Sequence, residues 1–321
     1  MEFPSCPAPF NLAAHALHHA SDLGDKPALE IMHADRTEVW SYAQIEAAVR
    51  GIGTGLLGLG LAPGSRILLR LGNSAAFPLA YLGAIAAGFV PVPTAAALTE
   101  AEITRMAALV APALVVADAG IALPDCVAPV LPAADLMAMQ HLAPCAYQMG
   151  DPDRLAYIVF TSGTSGRALA VQHAHRALWA RGMMHQGWEG LGPTDRLLHA
   201  GAMNWTFTLG TGLLDPWVNG ATALVPAPGT AAGDLGALAA RHGATILAGA
   251  PGIFRQMLKS TLPPLPALRH GLAAGEALAP ALRRQWREAT GTDLHEALGM
   301  TECSTFISGS PIRPAPEGAS G

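Results

Sequence analysis

Short apolar runs alternate along this chain with longer amphipathic stretches, and that rhythm predicts its elements. Segments 28–33 and 37–40 flank the turn Ala34-Asp35-Arg36 and predict paired strands, with Ser41 placed to cap a helix over 43–58. Beyond them, Arg66-Ile67-Leu68-Leu69-Arg70-Leu71 predicts a buried strand, 77–87 a helix, Val90-Pro91-Val92 a strand, 99–110 a helix and Leu114-Val115-Val116 a strand. Strands that alternate with helices imply a parallel sheet.

The alternation resumes after 119–154, whose prolines and alanines read as a surface linker. A strand over 155–160 runs into a loop of small and hydroxylated residues, followed by a helix over 172–186. Further strands are expected at Arg196-Leu197-Leu198-His199, Thr222-Ala223-Leu224-Val225, 244–248, Gly271-Leu272-Ala273 and Leu294-His295-Glu296. Helices over 207–218, 231–242, 253–259 and 280–290 separate them. The expected fold class is α/β, with two mostly parallel βαβ-type sheets flanked by helices.

Composition narrows the function. Hydrophobic residues make up 51% of the 321, enough for a large core in one big domain or two ordinary ones. Charged residues are 13%, the formal net charge is -5, and lysine and arginine form no run, which excludes a nucleic-acid backbone surface. The stretch 71–99 lacks charge, yet Asn73, Pro78, Pro91 and Pro93 interrupt it, so it reads as buried core, not a bilayer span. Cys6, Cys126, Cys145 and Cys303 are widely separated and show no CxxC pairing, which argues against a disulfide scaffold or a zinc site and for a reduced, cytoplasmic setting. The N-terminus lacks the basic and apolar blocks of a secretory signal.

Thr161, Ser162, Gly163, Thr164, Ser165 and Gly166 bring backbone amides and four hydroxyls together after a buried strand, a composition suited to an anion. Alone, the loop is equally an ordinary Ser/Thr/Gly connection, and no GK[ST] ends it as in a Walker A loop. Together with Gly275-Glu276-Ala277-Leu278 and Leu298-Gly299-Met300-Thr301-Glu302, in that order, it resembles the adenylate-forming superfamily of acyl-CoA synthetases, peptide-synthetase adenylation domains and luciferases. The resemblance runs from PFNLAAHAL and GDKPAL through SYAQI to LGMTE.

The resemblance implies roles residue by residue. The loop from Thr161 to Gly166, with Arg167 beside it, would hold the phosphates of ATP; Leu169 stands where the family places a lysine, so the usual cation is missing. Gly275, Glu276 and Ala277, with Leu298, Gly299, Met300 and Thr301, would bind adenine and AMP, Leu298 replacing a tyrosine ring. Glu302 would help hold Mg2+, and Thr161, Thr301 and Glu302 would be catalytic. The side chain of Glu276 is equally readable as solvated, the backbone being the safer contact. Trp205, Thr206, Phe207, Gly210, Gly249, Ala250, Pro251 and Gly299 would line the acyl pocket, while Trp217 is as readily a helix-end core residue. The stretch with Asp215-Pro216-Trp217 looks most like medium-chain and aromatic acid:CoA ligases, and no aspartate opens the pocket for an amino acid's ammonium. His175 matches a family histidine; His173, His185 and His199 are either pocket neighbours or structural, and His15, His18 and His19 receive no chemistry.

The activity so implied is AMP-forming activation of a small carboxylic acid by ATP, followed by transfer to coenzyme A or a carrier protein. The implied partition is approximately 50–190 as a first α/β subdomain, approximately 1–49 plus 191–310 as a second, and 311–321 as the start of a barrel segment. IRPAPEGASG resembles the family's approach to that barrel, which implies an N-terminal large domain whose small C-terminal domain, with a catalytic lysine, is absent. The resemblance therefore also implies weak overall activity, and it leaves a homodimer open. The alternative is a non-catalytic nucleotide- or acyl-binding relative whose phosphate loop has decayed at Leu169.

Overall fold

A computed structural model describes residues 3–161, 168–304, 307–308, 311 and 314–316. The chain divides into two units, Met1–Gly24 with Tyr42–Trp179 and Asp25–Ser41 with Ala180–Gly321.

The first unit opens with α1 (Leu12–Ala16), where the side chain of Asn11 accepts from the amides of Ala13 and Ala14. Strands β1 (Pro27–Met32) and β2 (Thr37–Ser41) form the expected antiparallel hairpin and belong to the second unit. Then α2 (Tyr42–Gly58), β3 (Arg66–Arg70), α3 (Ala76–Ala86), β4 (Val90–Pro93), α4 (Glu100–Val110) and β5 (Leu114–Ala117) keep the predicted alternation. Strands β4, β3, β5 and β6 (Val130–Pro132) form a parallel sheet in that order. Every residue of α3 is buried, so the charge-free stretch is core, and among the described residues no helix is long and apolar enough to cross a membrane. Arg70, fully buried at the end of β3, donates to the carbonyls of Ala122, Ala95, Ala96 and Leu98 and to Thr94 Oγ1, so its charge is dispersed over backbone dipoles.

Two expectations need correction here. The stretch 119–154 lies at the surface as expected, with only Ala133 and Leu136 buried, but it is not a bare linker: it contains β6 and the helix α5 (Ala133–Ala138), and its later part packs on the glycine face of α2. A Cβ on Gly51 would lie 2.6 Å from the Gln140 carbonyl, and one on Gly53 2.6 Å from Cys145 Sγ. Small residues on the helix let irregular backbone dock closely, which a linker-like composition conceals. The helix expected from 172 begins only at α6 (Arg176–Met184), because residues 169–174 form β8 (Leu169–Ala174), antiparallel to β7 (Leu155–Thr161), with Val159 opposite Val171.

The second unit continues with β9 (Arg196–His199), α7 (Thr206–Leu209), α8 (Asp215–Val218), β10 (Thr222–Pro226), α9 (Leu235–Arg241), β11 (Ile246–Gly249), α10 (Pro251–Met257), β12 (His270–Ala274), α11 (Pro280–Thr290), β13 (Asp293–Leu298) and β14 (Ile307–Ser308). One sheet takes them in the order β14-β13-β12-β11-β9-β10-β1-β2, parallel from β13 to β1 and antiparallel at both edges. The N-terminal contribution to this unit is the hairpin 25–41, a shorter piece than the 1–49 expected, because β1 pairs with β10 while α1 stays with the first unit.

Successive residues of these strands feed two cores, as the pleat requires. Leu198 and Leu247 join Phe254, Leu282 and Trp286; Leu197, Ile246, Ala248 and Leu272 join Trp188 and Phe207. The run 207–218, predicted as one helix, is α7 and α8 with a wide π turn at Gly210–Leu214 between them. Trp217 is core: it is fully buried, and its indole N–H donates to the Ala28 carbonyl at 2.8 Å.

Candidate active site

In a parallel α/β sheet the carboxyl ends of the strands open onto the loops that bind ligands. Four adjacent strands, β9, β11, β12 and β13, run parallel and level, with Ala248 opposite His199, Gly249 opposite Ala273 and Ala274 opposite Ala297. Their carboxyl ends deliver Ala200 to Trp205, Gly249 with Ala250 and Pro251, Gly275 to Ala277, and Leu298 to Glu302. The residues expected for adenine and for the acyl group therefore converge on one edge of one sheet.

Specific bonds fix the segments expected to meet the nucleotide. Glu296 on β13, 8% exposed, accepts the Leu278 amide at 3.0 Å and pairs with Arg283 at 3.1 Å, which ties the GEAL turn to the strand that leads into LGMTE. Gly275 has φ +101°, and a Cβ on it would lie 2.9 Å from the Trp205 indole, so only glycine lets this turn rest on the ring. Gly275, Glu276 and Ala277 are exposed. The exposed Glu276 carboxylate accepts the Gly252 amide at 3.0 Å, so it holds backbone while facing solvent. Leu298 and Met300 are 60% and 63% exposed, an apolar surface next to this turn's strand. Thr301 is half-buried, and the exposed Glu302 carboxylate has no partner among the described residues. A lone exposed carboxylate beside a hydroxyl fits one ligand position of a Mg2+ ion that keeps water and phosphate oxygens for the rest.

The aromatic part of the slot is graded in burial. Trp205 and Thr206 are half-buried, and Phe207 is 2% exposed. The Trp205 and Phe207 rings meet edge-on at 5.1 Å and 82°. Gly249 lies beside Ala200, Ala250 precedes α10, and Pro251 is buried as its first residue. Gly210 is placed otherwise: a Cβ there would collide with the Arg181 guanidinium, so its surroundings are ionic.

That guanidinium belongs to a cluster the sequence reading missed. Arg181 Nε donates to both Asp215 carboxylate oxygens at 2.8 and 3.1 Å, Nη2 to Thr211 Oγ1 at 3.1 Å, and Nη1 to the Ser304 carbonyl at 2.6 Å, two residues past Glu302. His185 Nε2 lies 3.2 Å from Asp215, and Asn219 bonds its other ring nitrogen. Burial alone would raise the Asp215 carboxyl, but Arg181 holds it well below the usual range. Burial, then the charge of Asp215, pushes Glu189 well above it, so Glu189 is the neutral member. His185, Glu189 and Asp215 place ligand atoms within 4.8 Å of one another, but Arg181 supplies the positive charge among them. An acidic residue in the apolar run Leu213-Leu214-Asp215-Pro216-Trp217 was the signal available.

In the first unit, Thr161 ends β7 opposite Leu169, which begins β8 and is 55% exposed. Ser162, Gly163, Thr164, Ser165, Gly166 and Arg167 lie outside the described residues. His175 is structural: its Nδ1 accepts the Leu12 amide at 3.0 Å, and burial, then Arg154, pushes it down to about 3. His173 stacks on Tyr157 at 4.8 Å.

Residues 17–320 match the AMP-binding enzyme family. The chain belongs to that family. This AMP-binding enzyme is 29% identical over 305 residues to the 3-hydroxybenzoate/4-hydroxybenzoate–CoA ligase of Thauera aromatica, a match covering 88% of the chain and 58% of that protein. It is 27% identical over 327 residues to the mitochondrial acyl-coenzyme A synthetase ACSM2 of Rattus norvegicus, covering 92% and 57%. A benzoate CoA ligase structure from Burkholderia xenovorans matches with TM-score 0.85 at 25% identity, covering 96% of this chain and 66% of that one. The chain thus spans less than two thirds of the length of each of these relatives.

Proposed function

We propose that this AMP-binding enzyme chain carries the nucleotide and acid sites of an AMP-forming ligase that activates an aromatic or medium-chain apolar carboxylic acid with ATP, ahead of thioester formation with coenzyme A. The observation that carries the proposal is the convergence of the adenine and acyl segments at the carboxyl ends of β9, β11, β12 and β13, with the Trp205 indole against Gly275. Relatives named as a hydroxybenzoate–CoA ligase and an acyl-coenzyme A synthetase support the substrate class.

In this reaction a carboxylate oxygen attacks the α-phosphorus of ATP in line, and the bond to pyrophosphate breaks. Two anions meet, so catalysis is mainly charge neutralisation and positioning. The exposed backbone of Gly275 to Ala277 and the apolar Leu298 and Met300 hold the base, with Glu296 keeping that turn in place. Trp205 and Phe207 orient the acid and Thr301 binds phosphate oxygens, while Thr161 and residues 162–167 carry, by the family resemblance, the phosphate loop of the first unit. Mg2+ on Glu302, when bound, neutralises charge that develops on those oxygens. Four free cysteines fit a reducing, cytoplasmic compartment.

Exposed Leu169, standing where the family has a lysine, favours a second reading, binding without turnover. One experiment tests both: calorimetry of the chain with ATP and Mg2+, then with benzoate and hexanoate, alongside a pyrophosphate-release assay. Acid- and ATP-dependent pyrophosphate supports the ligase; binding without release supports the second reading; binding of neither ligand rejects both.

A further inference from the structure

We propose that Arg181 is a positioning residue for the LGMTE segment: seated on Asp215 and Thr211, its guanidinium fixes the Ser304 carbonyl and so presents Thr301 and Glu302 to Mg2+ and phosphate. The inference rests on the nucleotide-binding reading of that segment. Arg181 lies in α6, Thr211 in the π turn after α7 and Asp215 at the start of α8, all within the second unit. All three are buried, Arg181 at 5% exposure and the other two at 0%.

A guanidinium is planar and carries its N–H groups in a fixed fork, so the bonds that hold two of its nitrogens also aim the third. Here Nε and Nη2 both donate to the Asp215 carboxylate, and Nη2 donates to Thr211 Oγ1 at 3.1 Å as well. Nη1 is thereby aimed at the Ser304 carbonyl, to which it donates at 2.6 Å. At Gly210 any side chain would collide with the guanidinium, so glycine keeps its seat open. Glu189 lies 3.8 Å from Nη2 but is neutral, and adds no second anion. The charge of Arg181 is matched by Asp215, and Ser304 supplies an acceptor for a largely buried N–H that is costly to leave unpaired.

The bond lands where it bears on Glu302. The Cys303 amide donates to the Met300 carbonyl at 3.1 Å, which closes a turn around Thr301 and Glu302, and Ser304 is the exit of that turn. Consecutive Cα atoms are about 3.8 Å apart, so the Glu302 Cα stays within about 7.6 Å of the Ser304 Cα. Mg2+ demands near-octahedral geometry at short distances, and a carboxylate on a loosened turn meets that demand for only part of the time. The GEAL turn is held separately, by Glu296 and by the Glu276 bond to Gly252. Loosening Ser304 therefore weakens the metal-dependent part of ATP binding and leaves binding of the base in place.

The test is calorimetry of the chain with ATP and with adenosine, each in Mg2+ and in EDTA, with urea unfolding of every variant. In the parent chain Mg2+ is expected to tighten ATP and not adenosine; the pairing of Mg2+ with ATP in solution is the same for all variants and cancels between them. Arg181→Lys, whose ammonium reaches Asp215 but lacks the fork, is expected to lose about tenfold of the Mg2+-dependent gain while the adenosine Kd moves less than about twofold. Thr211→Val removes one of the bonds that aim the guanidinium, keeps the ion pair, and is expected to lose about threefold of the gain. A merely structural Arg181 would instead lower the urea midpoint and weaken ATP and adenosine together with the gain intact, and that result overturns the proposal. An unchanged gain in Thr211→Val overturns it too, and decides alone where Arg181→Lys does not fold. A parent chain whose ATP binding gains nothing from Mg2+ rejects the nucleotide reading of LGMTE itself, before any variant is made, and the proposal with it.

Discussion

Arg181 is bonded to Asp215 and also to the Ser304 carbonyl just past the LGMTE segment, so one buried ion pair bears on both stability and the site. Asp215→Ala leaves a buried guanidinium without its counter-charge and is expected to cost about 3–5 kcal/mol, read by urea unfolding. A loss below about 1 kcal/mol would mean that water reaches Arg181. The buried histidines predict a pH dependence. Burial pushes His199 down to about 3 and His270 to about 4, against about 6.5 in an unfolded chain. Between pH 6.5 and 4 the unfolded chain takes up protons that the folded rings refuse, so stability falls as pH falls through that window. Each histidine contributes about 1.4 kcal/mol per pH unit. Urea midpoints at pH 7, 6 and 5 should decline accordingly, and His270→Gln should flatten the slope by one proton; a flat profile in the parent chain would contradict the burial of these rings.

Among elements, those with strong local signals were legible in the sequence. Helix α4 carries a full capping box, with Thr99 accepting the Glu102 amide at 3.4 Å and Glu102 accepting the Thr99 amide at 2.8 Å, and its start was placed within a residue. Strand β8 was not legible, because its pairing with β7 is a tertiary fact and Leu169-Ala170-Val171 fits helix and strand alike. The same contrast holds in the site. The GEAL and LGMTE turns are short contiguous motifs, whereas Arg181, Glu189 and Asp215 come together only through two π turns that no periodicity announces. At the GEAL turn, Gly275→Ala combines a left-handed φ with a clash against Trp205. It is expected to lower stability by about 1 kcal/mol or more and to weaken ATP and acid binding together. Unchanged affinity for both ligands would separate this turn from the site.

On the scale of the molecule, charge is sparse, and the proposed nucleotide site would depend on amides, hydroxyls and few cations. Leu169→Lys adds an ammonium at an exposed position opposite Thr161 and is expected to raise ATP affinity about tenfold in calorimetry, with no change in affinity for the acid. No gain would mean that the phosphates are already neutralised by other groups. The fold class was readable because βαβ alternation persists across most of the chain; the assignment of the hairpin 25–41 was not, since its partner strand lies far downstream.

That hairpin has a consequence for biosynthesis. Leu29 pairs with Ala223, so when β1 and β2 leave the ribosome their sheet does not yet exist. The first unit has all its residues once Trp179 emerges, whereas the hairpin must wait, unpaired along one edge, until β10 is made. A nascent chain halted between those points exposes an open strand, a natural target for a chaperone and a starting point for misassembly when synthesis outpaces it.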